Sequence, residues 1–306
     1  IFAFFASRYG HSLLTQGTFG GVIQHIEPPF VGSLPIPKFP KEFQEEVDAL
    51  VQESARLREE ATDALNQAYH LIEKHIPFEK SYPKERTSIK SIVSSHQLRF
   101  EGSYYKSNSR EVYDYVTSKY NHKTLDKLTV NIFRPGIFKR KFVNNGGITF
   151  LGGADILMAI PSSSKQLSKS QVASMPELIP KEGWILATCG GTIGKTVLVD
   201  KQLANCAVSQ HVMRIVPNGE VPEGYLFAFL SSNIGFNLIT LFTYGSVIPQ
   251  VEPHHLRLIP VPILDKEDMN EIHNWVMVYK TKNEKAKYAE LKAITMVEEE
   301  IDKWKK

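Results

Sequence analysis

The chain is poor in the features that announce a compartment or a chemistry. Among its 306 residues only Cys189 and Cys206 are cysteines. Two are too few for a disulfide framework and, with the scattered histidines, too few for a structural zinc site; such usage points to a reducing, cytosolic setting. No apolar run approaches the roughly 20 residues that span a bilayer. The apolar opening IFAFFA lacks a basic flank and has a twin deep inside the chain, which argues against a signal peptide. No Ser-His-Asp arrangement, carboxylate pair or metal-ligand cluster has a spacing that supports catalysis. Net charge is small, +3 over 36 basic and 33 acidic side chains. What remains, with 42% hydrophobic and 23% charged residues, is an ordinary globular composition long enough for two domains.

What the chain does have is a duplication. Residues 1–37 lie over residues 226–262 at an offset of 225 without a gap, and 15 of the 37 positions are identical. The pairs include Phe2/Phe227, Gly10/Gly235, Thr18/Thr243, Gly20/Gly245, Glu27/Glu252, Pro28/Pro253 and Pro35/Pro260. Glycine and proline fix backbone conformations that other residues resist, so their recurrence in register predicts recurring turns. If the second unit begins after Pro77, about 148 residues precede its shared tail, counting 226 minus 78, and none precede the tail in the first copy. The chain is therefore expected to be a fragment of a longer product, or one whose first unit is largely absent.

After each copy comes a polar, helix-favouring stretch. Pro40-Lys41-Glu42 and Asp265-Lys266-Glu267 look like helix starts, with Pro or Asp at the cap and acid in the first turn. With Val47 at position a, a heptad seam runs Val47, Leu50, Ser54, Leu57, Ala61, Ala64, Ala68 and Leu71. The partner seam runs Ile272, Trp275, Tyr279, Lys282, Ala286, Ala289, Ala293 and Met296. These seams predict two helices of ~35 residues, each about 50 Å long, packing on each other as a coiled coil because the seams match in length and spacing; the alternative is that each helix packs on its own globular unit. Seam alanines would let the backbones approach closely.

Between them, residues 78–262 carry 21 Lys/Arg against 13 Asp/Glu, an excess of 8, while the flanks carry 15 against 20. A basic block between acidic-leaning helices suits a polyanion-binding module with protein-contacting arms. The block reads as mixed α/β. Apolar runs at 128–133, 148–151, 184–188, 196–199 and 212–216 predict strands, and 224–237 has helical periodicity. The polar run SSSKQLSKSQ, 162–171, reads as a loop.

CGGTIGKT (189–196) invites comparison with a phosphate-binding P-loop, but Cys189 stands where that motif needs glycine, and a strand follows rather than a helix. A glycine-rich hairpin presenting Thr192 and Lys195 to a phosphate backbone fits better. EPPF (27–30) resembles an amino-methyltransferase signature, yet its twin reads Glu252-Pro253-His254-His255, so the motif is a structural turn. For the same reason His254 and His255 are weak metal candidates. FKRKF (138–142) interleaves aromatics with Lys139, Arg140 and Lys141; as a strand it would put the lysines on one face and the arginine on the other. Bases beside amides suit phosphate clamping and base-edge contacts; taken by itself the segment fits a solvated strand edge equally well. Gln210, Tyr244, Ser246 and Gln250 add polar groups near turns, completing the candidate DNA-binding set.

Together, FKRKF…GGITFLGGADIL (138–157), EGWILATCGGTIGKTVLV (182–199), AVSQHVMRIVP (207–217), GYLFAFLSSNIG (224–235) and YGSVIPQVEPHHLRLIPVPIL (244–264) resemble the specificity subunit of type I restriction–modification systems. The resemblance implies an α+β fold with target-recognition domains alternating with two long helices that pair as an antiparallel coiled coil. It gives a remnant of a first recognition domain at 1–40, a central spacer helix at 41–77, a second recognition domain at 78–264 and a distal spacer helix at 265–306. It also implies a non-catalytic subunit that binds one half of a bipartite site in double-stranded DNA per domain. Such a subunit docks methyltransferase and restriction subunits, and SAM, ATP and Mg are expected on those partners and none here. Two other readings stay open: the recognition portion of a single-chain restriction–methylation enzyme, and a repeat scaffold that binds only protein. If the helices act as a ruler, deleting one heptad from both will change the spacer length of the recognised site, read by sequencing methylated adenines; recognition of the original spacing at undiminished affinity would count against it.

Overall fold

The computed structural model describes the chain apart from residues 21–24, 80–87, 94–103, 105–107, 246–248 and 305–306. It divides into two compact units, Ile1–Thr62 with Thr281–Lys306, and Asp63–Lys280. The division falls inside the two long helices, Lys41–His75 and Lys266–Lys303, rather than at their ends.

The first unit is all helix. Short helices Phe2–Ala6, Arg8–Gln16 and Pro28–Ser33 lead into the central long helix. Its core joins Ala3, Phe4 and Phe39 to Ala293 and Val297, with Phe43, Val47, Leu50 and Ile301 packed around them. The two long helices run antiparallel here, because their partners ascend on one as they descend on the other. Glu60 meets Lys282, Arg58 meets Glu290 at 2.5 Å, and the Phe39 ring lies 5.2 Å from that of Trp304. Ser54, Leu57, Ala61, Ala286, Ala289 and Ala293 are buried on the facing sides, and Val47 and Leu50 are half-buried.

The second unit is mixed. Its strands are β1 (His122–Thr124), β2 (Thr129–Phe133), β3 (Phe142–Val143), β4 (Ile148–Leu151), β5 (Gln166–Leu167), β6 (Ile185–Gly190), β7 (Thr192–Leu198), β8 (Ala207–Val208), β9 (Val212–Pro217) and β10 (Pro260–Pro262). A four-stranded antiparallel sheet has the order β2-β9-β6-β7, a second has the order β3-β5-β4-β8 with β4 and β8 parallel, and β1 pairs β10. β6 is buried along almost its whole length. Alternation sends Ile185, Ala187 and Cys189 into the main core and Leu186 into a second cluster with Leu151, Val208 and Val212, so this sheet is covered on both faces. Helices Asn108–Lys119, Glu223–Ser231 and Asn233–Leu241 close the main core. The expected strands are present within a few residues of their predicted bounds. The polar run 162–171 is not simply a loop: Leu167 is fully buried in β5, and Ser168 caps the helix Lys169–Ser174.

The duplication recurs in detail. In each copy a serine caps a second helix by accepting from a glycine amide, Ser7 from Gly10 at 3.3 Å and Ser232 from Gly235 at 3.2 Å. A Cβ on Gly10 would sit 2.1 Å from the Phe4 carbonyl oxygen, and one on Gly235 2.2 Å from that of Phe229. Both glycines are therefore fixed by close backbone approach. Further on, Phe19 pairs His25 as Tyr244 pairs Gln250, and a short helix follows each Glu-Pro.

The seam holds in part. Ala68 is buried in the second unit, but Leu71 yields the inward position to Ile72, and Ile76 follows. On the distal helix Ile272 is buried and Tyr279 stacks on Phe227 at 6.2 Å, whereas Trp275 is 37% exposed and Val276 is buried. Val297 likewise replaces Met296. A straight helix drifts about 20° per heptad against a strict seven-residue frame, and in this unit the inward face is set by the domain core. There, Val276→Ala will cost about 2 kcal/mol through the cavity it leaves, while Trp275→Phe, which keeps most of the covered apolar surface, will cost under about 1 kcal/mol. Urea denaturation of the two variants checks the order.

Candidate nucleic-acid interface

The predicted contact residues come from four segments, and most of them meet at one end of the β2-β9-β6-β7 sheet. β6 and β7 form the glycine-rich hairpin. Gly194 and Lys195 together oppose Thr188, so the pair carries a bulge; Gly194 has φ +84°, the left-handed conformation such a bulge demands. The Thr188 hydroxyl repairs the interrupted ladder by accepting from the Lys195 amide at 3.1 Å. Thr192 and Lys195 are both exposed on this hairpin. The Lys195 ammonium lies 5.0 Å from the centre of the Phe236 ring, so its contact is with the helix Asn233–Leu241.

Backbone bonds knit two further loops to the hairpin. The Cys189 amide donates to His211 O at 3.1 Å, Val251 N to Cys189 O at 3.1 Å, and Gly191 N to Pro249 O at 3.3 Å. Gln250 pairs with both Gly190 and Tyr244. Ser246 lies outside the described residues. Gln210, nearly buried, accepts from Arg140 Nη2 at 3.1 Å, which draws the basic segment to the same end.

That segment is not the alternating strand expected from its sequence. Only Phe142 belongs to a strand, because a side chain has taken the ladder's place. Gln171 donates from Nε2 to Lys139 O at 2.7 Å and accepts from Lys141 N at 2.8 Å, satisfying the backbone on both sides of Arg140. Lys139, Arg140 and Lys141 are all exposed.

Beneath the site, Arg214 has no solvent exposure. It donates to the carbonyls of Val208, Ser209, Val212 and Leu178 at 2.5 to 3.2 Å, locking the turn that carries Gln210. Burial pulls its guanidinium down to about 10. Burial likewise pushes the Cys189 thiol up to about 11, so it is a poor nucleophile. Among the described residues no three His, Cys, Asp or Glu converge on a point that could hold a metal ion. No single described helix is long and apolar enough to cross a membrane.

Sequence reasoning missed Gln171, Arg134 and the working role of Glu252. The Glu252 carboxylate accepts from Tyr244 Oη at 2.7 Å and from Arg134 at 2.6 Å, and it caps the helix Pro253–Leu256. Its recurrence as Glu27 was the available signal, and that signal spoke only of a turn.

Residues 109–293 match the type I restriction modification DNA specificity domain. The chain belongs to that family. Among solved structures, the S subunit of a type I restriction-modification system from M. genitalium has 15% identity and a TM-score of 0.46, with 92% of this chain and 66% of that one covered. The HsdS subunit from Thermoanaerobacter tengcongensis has 14% identity and a TM-score of 0.41, with 96% and 66% covered. This chain thus spans just under two thirds of the length of each. No curated protein matches it.

Donation to Glu252, more than desolvation, raises the Tyr244 phenol above its usual range. With a raised native value, the stability contributed by this bond is complete below about pH 10, the unfolded value, and is lost as pH rises through the native one. Glu252→Gln should bring the Tyr244 titration back down, read as tyrosinate absorbance against a Tyr244→Phe blank; an unmoved titration would remove the carboxylate as its cause.

Proposed function

We propose that this chain is a DNA sequence-recognition subunit whose domain at 78–264 binds one half of a bipartite site in double-stranded DNA. It is non-catalytic and cytoplasmic, and it docks methyltransferase and restriction subunits. SAM, ATP and Mg belong to those partners. The long helices supply the docking surfaces, and the end of the β2-β9-β6-β7 sheet faces the duplex. The observation that carries this reading is the family membership of residues 109–293, the stretch that holds Arg140, Gln210, the glycine-rich hairpin and Tyr244. In support, Lys139, Lys141 and Lys195 are exposed and have no carboxylate within ion-pair distance among the described residues, which leaves their charge available to phosphates.

Phosphate contacts release counterions, so affinity should fall linearly on a log–log plot against salt. Binding of the full chain to a labelled duplex between about 50 and 200 mM salt measures that slope. Lys195→Ala should weaken all sequences alike and flatten the slope by about one unit. An unchanged slope removes Lys195 from the interface. Failure to bind any duplex at low salt, with or without a methyltransferase partner, refutes the reading.

A further inference from the structure

The three consecutive bases at 139–141 are held in two different ways. Among the described residues Lys139 and Lys141 are tied down through their backbone, by the Gln171 amide and, at the Lys141 carbonyl, by the Ser168 N–H, and their side chains are exposed. Arg140 between them is fixed through its side chain as well. Its guanidinium lies 5.4 Å from the centre of the Phe150 ring and 6.0 Å from that of Phe138, two rings packed edge to face. Its Nη2 donates to Gln210 Oε1 at 3.1 Å. Gln210 cannot easily follow a moving partner, since it is nearly buried on the turn that Arg214 locks. Its amide nitrogen lies 3.5 Å from His211 Nε2 and its Oε1 also accepts from Ser209 Oγ at 3.4 Å.

The two modes suit different tasks. A phosphate asks for charge within reach, which a flexible lysine supplies; a base edge asks for donors at a fixed place and angle. An amide partner is also informative. A carboxylate in place of Gln210 would neutralise Arg140 and compete with DNA, whereas an amide sets its direction and leaves the charge and the remaining guanidinium donors free. A donor-only fork matches the one base edge that offers two acceptors side by side in the major groove, guanine O6 and N7.

We propose that Arg140 reads a guanine in the major groove, positioned by Gln210, while Lys139 and Lys141 contact the phosphates beside it. This rests on the DNA-recognition reading above and adds which residue carries sequence information. The roles differ in what each residue changes: Arg140 sets preference at one base pair, Gln210 acts only through Arg140, and the lysines set affinity for every sequence.

The test selects from a randomised duplex library with the full chain, and with the methyltransferase partner where one is needed for binding. Wild type should enrich a motif containing at least one fixed G·C pair. Arg140→Lys keeps the charge and loses the fork; it should keep the salt slope yet lose about 10- to 100-fold discrimination at that pair alone. Gln210→Ala should weaken preference at the same pair and at no other. Lys139→Ala should leave the motif intact and lower affinity for all duplexes. A check independent of any variant replaces that guanine by 7-deazaguanine, which removes N7: wild type should lose affinity and Arg140→Lys should not. A wild-type chain that enriches no sequence sinks the DNA-recognition reading and this inference together. Wild-type enrichment with the same motif and discrimination in Arg140→Lys, or indifference of wild type to 7-deazaguanine at every guanine, overturns this inference alone.

Discussion

Arg214 lies in β9 with its guanidinium sealed from water, and four backbone carbonyls rather than a carboxylate accept from its Nη1 and Nη2, leaving only Nε without a partner among the described residues. A buried cation costs several kcal/mol unless its hydrogen bonds are met, and these carbonyls come from β8, the turn after it, β9 and the short helix ending at Leu178. The chain must therefore hold those segments in one arrangement for the cation to be tolerated at all. That arrangement fixes the turn bearing Ser209, Gln210 and His211, and His211 O in turn receives the Cys189 amide of the hairpin strand. Position at the sheet end thus descends from a single desolvated charge.

The hairpin adds a second constraint of a different kind. A bulge with two residues opposite one bends a strand and sharpens its twist, so β7 changes direction at Gly194-Lys195. The Thr188 hydroxyl, buried beside the bulge, keeps the interrupted backbone satisfied. Lys195 is thereby re-aimed toward Phe236 while Thr192 stays at the tip beside Gly190. Pro249, Gln250 and Val251 join the tip through backbone bonds, and the Glu252 carboxylate holds Tyr244 and Arg134 beside them.

How much of this the sequence disclosed follows the range of the interactions. Local signals were legible: alternating apolar runs gave β2, β4, β6, β7 and β9, and the cap chemistry at Pro40 and Asp265 gave the starts of both long helices. The duplication was legible in position, but the expected turns fall at Gly20 and Gly245, with φ +106° and +94°; Gly10 and Gly235 stand inside helices and recur because both lie against a carbonyl of the preceding helix. The helix faces were legible in part: Leu57, Ala61, Ala68, Ile272, Ala286 and Ala293 lie inward as the heptads predict, while Ile72, Val276 and Val297 take the places of Leu71, Trp275 and Met296. Where the distal helix packs on the domain, the core selects Val276 and leaves Trp275 outside, and no heptad count contains that choice. At the site, residue type marked Arg140, Lys139 and Lys141, but Gln171 replaces a strand neighbour from 30 and 32 positions away, and Arg134 meets Glu252 across 118. Such pairings are products of the fold.

The charge asymmetry of the sequence takes on a physical meaning when the pairs are traced. On the long helices acids and bases largely answer one another: Arg56 with Glu53 and Glu60, Lys282 with Glu60, Arg58 with Glu290, Lys303 with Glu300. Pairs at or near the surface are worth only about 0–1 kcal/mol each, so the buried seam at Leu57, Ala61, Ala286 and Ala293 carries more of the packing in the first unit, and the pairs chiefly align one helix on the other. In the recognition domain the balance is reversed. Arg134 is matched by Glu252 and serves the frame, while Lys139, Lys141 and Lys195 have no acid to answer them among the described residues. Screening by salt acts on such exposed charge within about 10 Å at 0.1 M, so the unmatched lysines favour a dense polyanion at contact range. Within the basic segment 139–141, Arg140 is unmatched by an acid among the described residues yet fixed by an amide and two rings, and so combines free charge with defined direction.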